Sequence, residues 1–229
     1  MPANVRSYLG ELVGTFALVF IGTGVATLQG FLPGYGDTGW LGISFAFGFT
    51  LMVLVWVIGP VSGCHINPAV TIAMLIAGKI EGGKAAVYIV VQVVGALVAS
   101  LVLLVIVSGI PGYELGNNGL GANGNPRQMG AFSLLMLELV MTALFLVVIL
   151  GATRDDAAPG VAGIAIGGFL FVAHLVGAQL GDASLNPARS LGPALVQGGA
   201  ALAGVWIFIV GPFAGAILGL LLYRLLYRD

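Results

Sequence analysis

Six runs of about 20 residues carry almost no charge, and they limit this chain to very few folds. A bilayer's hydrocarbon core, roughly 30 Å thick, takes about 20 helical residues at about 1.5 Å each. The runs are 9–28, 40–58, 85–107, 131–151, 160–180 and 202–222. Glu11, Glu138 and His174 are the only ionisable side chains inside them that interrupt the apolar pattern. Apolar residues make up 59% of the chain and charged residues 7%, whereas soluble domains are about a quarter charged. The expected architecture is an all-α integral membrane protein with six transmembrane helices. The first run is too long and too weakly preceded by basic residues, Arg6 alone, to read as a cleavable signal.

Two further apolar stretches, 68–77 and 187–196, are too short to cross. Ten helical residues rise about 15 Å, half the hydrocarbon thickness. Each opens on the same tripeptide, Asn67-Pro68-Ala69 and Asn186-Pro187-Ala188. Asn is a favoured N-cap, and Pro suits the first helical position because its missing N–H has no helical partner there. Both stretches therefore read as re-entrant half-helices. A kink near Leu191 is expected in the second, which contains Gly192-Pro193.

The two halves repeat. Glu11-Leu12-Val13 with Thr15 opens one, and Glu138-Leu139-Val140 with Thr142 opens the other. Each half then adds a span, a half-helix and another span. Three crossings per half invert the second copy, so the chain reads as one domain, 1–229, with inverted repeats at about 1–111 and 125–229. In that arrangement the two Asn-Pro-Ala caps meet tip to tip at mid-membrane. The irregular segments before them, 63–66 (Gly63, Cys64, His65, Ile66) and 182–185 (Asp182, Ala183, Ser184, Leu185), are tolerated at that depth only if buried in protein or lining water.

Basic residues set the orientation. With both termini cytoplasmic, Arg6, Lys79, Lys84, Arg154, Arg224 and Arg228 lie inside, Arg127 lies outside, and Arg189 sits in the second half-helix. The outer loop 108–129 is Gly/Asn-rich and expected to be irregular. A net charge of −1 gives no electrostatic case for nucleic acid. One cysteine excludes an intrachain disulfide, and two distant histidines disfavour a metal site. No nucleophile–base pair stands out, so neither an enzyme nor a cofactor is expected.

His65-Ile66-Asn67-Pro68-Ala69-Val70-Thr71 and Ser184-Leu185-Asn186-Pro187-Ala188-Arg189-Ser190 resemble the paired signature of the aquaporin (major intrinsic protein) family, and the resemblance covers nearly the whole chain. It implies a homotetrameric passive water channel in a plasma membrane, with membrane lipids and water as its partners. Its selectivity constriction would be Phe47, His174, Ala183 and Arg189. The Phe/His/Arg set, Ser190 and Ala194 match water-selective members, while Ala183 and Ile209 depart from the residues frequent there. A glycerol or small-solute facilitator is the alternative, and a non-conducting scaffold with the same fold is a third reading.

The physics supports a water path. Two helix N-termini at mid-membrane present unpaired N–H groups and roughly half a positive charge each, which repels cations and protons. Asparagine amides whose oxygens cap the helices would leave their NH₂ groups to hold passing water. Several residues have two readings. Phe45 competes with Phe47 for the constriction, and His174 could be a core histidine. Glu11 and Glu138 are proton relays or structural acids holding loop N–H groups; their symmetry favours structure. His65 either gates at low pH or packs. Cys64 lies three residues before Asn67, as Ala183 does before Asn186. It is either a pore-facing mercurial site or a small buried hydrophobe.

Overall fold

The structure is a computed structural model that describes residues 2–31, 39–125 and 127–227; Arg228, used above for orientation, lies outside them. Among the described residues ten helices follow one another: α1 (Ala3–Phe31), α2 (Gly39–Ser62), α3 (Pro68–Ile76), α4 (Gly82–Val107), α5 (Leu115–Asn118), α6 (Ala131–Ala152), α7 (Ala162–Gly181), α8 (Pro187–Gln197), α9 (Gly199–Gly204) and α10 (Ile207–Leu226). Six segments are long and apolar enough to cross a membrane: α1, α2, α4, α6, α7 and the stretch Gly199–Leu226. No strand occurs among the described residues. This is a multi-pass all-α membrane protein.

The last span differs from expectation. A turn at Val205 and Trp206 divides it into α9 and α10. Gly198, Gly199 and Gly204 crowd its start, and glycine is a poor helix former. The second half-helix differs in the other direction. α8 runs unbroken through Pro193 to Gln197, so the expected kink does not interrupt it. The described residues of loop 108–129 are irregular apart from the single turn of α5.

Helix pairs in the two halves correspond. α1 packs on α2 and α4 as α6 packs on α7 and α10, and α2 against α7 joins the halves. The half-helices cross over: α3 packs on α10, and α8 on α4. Gly95 and Gly192 are among the glycines that allow close approaches. A Cβ on Gly95 would stand 2.5 Å from the Leu12 carbonyl oxygen, and one on Gly192 would stand 2.6 Å from that of Ala96. Without such small residues, helices that gain no hydrophobic drive in lipid lose the dispersion contact that holds them. Buried hydroxyls need no water either: Thr15, Thr23 and Thr27 each donate to the carbonyl four residues back.

Candidate functional site: the paired half-helices and their cavity

The Asn-Pro dipeptides set the local geometry. A residue before proline is pushed out of the helical region, and Asn67 (φ −159°, ψ 120°) and Asn186 (φ −148°, ψ 104°) are extended. Each then caps its own half-helix: Asn67 Oδ1 accepts from the N–H of Ala69, and Asn186 Oδ1 accepts from those of Ala188 and Arg189. Pro68 and Pro187 occupy the first helical positions, and Ala69 and Ala188 are fully buried at the helix starts.

The asparagine amides are less free than the sequence implied. Asn67 Nδ2 donates to the Leu185 carbonyl at 2.8 Å, and Asn186 Nδ2 donates to the Ile66 carbonyl at 2.9 Å. The two caps clasp each other across the junction, which commits one N–H of each amide. The second N–H of each makes no hydrogen bond to a described residue, since an amide nitrogen carries two.

The segments that feed the caps are strained and tethered. Gly63, Cys64 and Ile66 have φ values of 89°, 52° and 39°, and Asp182 and Leu185 have 57° and 58°. A branched residue such as Ile66 holds a left-handed backbone only where its surroundings impose it. The buried acids supply that constraint. Glu11 Oε1 accepts from Ser62 Oγ (2.6 Å) and the His65 N–H (2.9 Å), and its Oε2 accepts from the Ile66 N–H (2.6 Å) and Gln92 Nε2 (2.7 Å). Glu138 accepts from the N–H of Ser184 (2.7 Å) and Leu185 (2.9 Å). Their hydrogen bonds all run to groups around the re-entrant segments.

A narrow cavity of about 60 Å³ runs past the junction. One water needs roughly 10–15 Å³ of volume measured this way, so several waters fit. Its apolar lining includes Leu18, Leu51, Phe145 and Ile166. The polar lining comes from Gly63, Cys64, His65, Ile66, Asn67, Ser184, Asn186 and Arg189, with Leu185 between them. At the Cys64 end a pocket of about 440 Å³ shares Gly63, His65 and Met74 with the cavity. His65 Nδ1 lies 3.2 Å from Thr71 Oγ1, and its ring meets the Tyr88 ring edge-on.

At the other end Phe47, His174 and Arg189 converge. The Phe47 and His174 rings stack with centroids 4.8 Å apart, and Arg189 Cζ lies 4.9 Å from the Phe47 centroid. Phe47 is fully buried, whereas Phe45 is 54% exposed and stacks on Phe49 instead. His174 Nδ1 lies 2.9 Å from the Leu170 carbonyl, which can only accept, so Nδ1 carries the proton and Nε2 is left an acceptor. Nε2 of His174 and Nε of Arg189 are buried without a partner among the described residues. Both residues line the cavity. Ala183 is the remaining member expected at this level. Ala183 is buried next to Gly177, where an added Cβ would meet its Cβ at 2.5 Å, and it is outside the cavity lining. The small methyl fits against the bare glycine. Asp182 likewise lines a separate 580 Å³ pocket.

Sequence reasoning missed Asn123 and Gln92. Asn123, only 4% exposed although in the long loop, accepts on Oδ1 from Arg189 Nη1 and Ser190 Oγ, both at 2.7 Å. Gln92 joins Glu11 to Thr71. A polar residue inside the uncharged run 85–107 was the available signal for Gln92; nothing local distinguished Asn123 from Asn117, Asn118 or Asn125.

Six spans, two half-helices joined by their N-termini and a cavity along the joint define a pore-type membrane protein. The family model described as "Major intrinsic protein" matches residues 1–223. Aquaporin Z of Rhodopseudomonas palustris is 42% identical over 227 residues, covering 97% of this chain and 94% of that protein. Aquaporin Z of Bradyrhizobium diazoefficiens is 41% identical over 230 residues, covering 99% and 95%. Among solved structures, the aquaglyceroporin from Plasmodium falciparum superposes with a TM-score of 0.85 at 22% identity, covering 96% of this chain and 95% of that one, which speaks to the fold alone. The chain belongs to the aquaporin (major intrinsic protein) family.

Proposed function

We propose that this chain conducts water passively and excludes ions, protons and glycerol. It is a transporter rather than an enzyme, as its family membership and its aquaporin Z relatives indicate. The observation that carries the selectivity is the Phe47–His174–Arg189 cluster. There a buried acceptor, His174 Nε2, and a buried donor, Arg189 Nε, have no hydrogen-bond partner among the described residues, in the wall of a cavity with room for several waters. Water satisfies an acceptor and a donor together and pays little for the exchange, whereas a larger polyol must displace Phe47 or His174. Cations meet the Arg189 charge and then the positive ends of both half-helices.

The pore centre in this reading is Asn67, Pro68 and Ala69 with Asn186, Pro187 and Ala188. A water accepting from both asparagine amides has its oxygen lone pairs occupied and cannot relay a proton. Carbonyls of 63–66 and of Ser184 and Leu185 supply the remaining steps of the path. Glu11 and Glu138 act as structural acids. The chain is one channel domain of two inverted repeats, which the matched helix contacts of the two halves support. It sits in the plasma membrane with both termini cytoplasmic, as the basic residues favour, and assembles as a homotetramer, as the family resemblance implies.

Stopped-flow light scattering on proteoliposomes tests the reading. A sucrose gradient should shrink them markedly faster than empty liposomes, and a glycerol gradient should show glycerol entry no faster than in empty liposomes. Water flux at the empty-liposome rate would overturn it.

A further inference from the structure

We infer that Asn123, in the loop between α5 and α6, is a positioning residue for the pore's discrimination between solutes: it holds the Arg189 guanidinium in place over Phe47. The inference rests on the reading of Phe47, His174 and Arg189 as the filter.

Arg189 is 2% exposed and has no carboxylate hydrogen-bond partner among the described residues; its charge is held by oxygen dipoles. Nη1 donates to the Gly121 carbonyl at 3.1 Å and to Asn123 Oδ1 at 2.7 Å, so the shorter bond comes from the Asn123 side chain. The same oxygen also accepts from Ser190 Oγ, the next residue of α8. Asn123 Nδ2 donates to the Asp182 carbonyl, and the neighbouring Gly124 N–H donates to Asp182 Oδ2 at 2.8 Å. One buried amide thus grips both sides of the second re-entrant segment: the residue that ends α7 and the residues that open α8.

This arrangement leaves Arg189 Nε, in the cavity wall, without a hydrogen-bond partner among the described residues. Arginine has four side-chain bonds about which it turns freely, and its planar fork discriminates only if its direction is fixed. Gly121 supplies only a backbone carbonyl. Asn123 supplies a short side chain with an acceptor and a donor at once, which Ala lacks and which Asp provides only in part. Without it the guanidinium has one anchor in place of two. It would then swing, and the opening beside His174 would no longer have one width.

The test compares wild type, Asn123→Ala and Asn123→Asp in proteoliposomes, recording water flux, glycerol flux and proton flux with an internal dye. For Asn123→Ala the glycerol-to-water permeability ratio should rise on the order of tenfold, the scale of losing one hydrogen bond to a charged group, while water flux stays within about twofold. Asn123→Asp keeps the acceptor toward Arg189, so it should restore much of the glycerol exclusion that Ala loses. A residue that only holds the loop would lower folded yield in both variants and leave the ratio unchanged, and that result overturns the inference. If Asn123→Ala does not fold, Asn123→Asp and Asn123→Ser carry the test; Ser is too short to reach Arg189, and a ratio equal to wild type in Ser overturns it equally. Wild-type liposomes that pass water no faster than empty ones would refute the pore reading itself, a distinct outcome.

Discussion

Replacing either buried glutamate by glutamine should destabilise the protein by about the same amount, despite their unequal surroundings. Glu138 receives two backbone N–H groups, one on each oxygen, so its amide analogue keeps one bond and turns an NH₂ toward the other donor. Glu11 receives four donors, but two of them adapt. Ser62 is a hydroxyl that can accept as well as donate, and Gln92 can flip, since its Oε1 has no partner among the described residues. Whichever way the new amide turns, one backbone N–H, of His65 or of Ile66, is orphaned. Each Gln variant should therefore lose about 1–3 kcal/mol, the cost of one unsatisfied buried donor, and each Leu variant about twice that. The orphaned donors sit in segments whose left-handed residues already store strain, so nothing nearby relaxes to meet them. Unfolding by SDS in mixed micelles measures the loss, and stopped-flow scattering measures water flux in the protein that remains folded. Unchanged stability in both Gln variants would refute the reasoning. Normal stability with water conduction abolished would point instead to the glutamates acting on the water file itself.

Two other outcomes follow from the cavity wall. His174→Gly removes the ring stacked on Phe47, so glycerol flux should rise above the empty-liposome level while water flux persists; isotope uptake reads the former. Cys64 lies in the cavity lining, 7% exposed, with its N–H bonded to Ser62 Oγ. HgCl₂ should therefore slow water flux, a thiol reductant should restore it, and Cys64→Ala should conduct at the wild-type rate but ignore mercury. Mercury that labels the thiol without slowing flux would place Cys64 off the path.

Much of this molecule is decided by elements that act locally. Uncharged runs of membrane-spanning length must become helices in lipid, because no other open structure satisfies its backbone there. Asn-Pro forces an extended cap and a helix start, so Asn67 and Asn186 were legible from a dipeptide each. Other features depend on partners distant in sequence. That each asparagine amide donates to the carbonyl preceding the other cap could not be read from either motif, since the bonds join residues 118 and 120 positions apart. Phe47 and Phe45 were equivalent by local pattern, and only the packing of α2 on α7 put Phe47 against His174 and left Phe45 outside. Ala183 was assigned by its distance from Asn186, but its methyl turned toward Gly177 once α7 and the loop were packed. Asn123 looked like any other loop asparagine until tertiary structure buried it against a guanidinium. Chain chemistry dictates which segments are helical and where they begin; which side chains meet is a property of how those helices pack, because a hydrogen bond or a ring contact depends on ångströms that no spacing along the chain specifies.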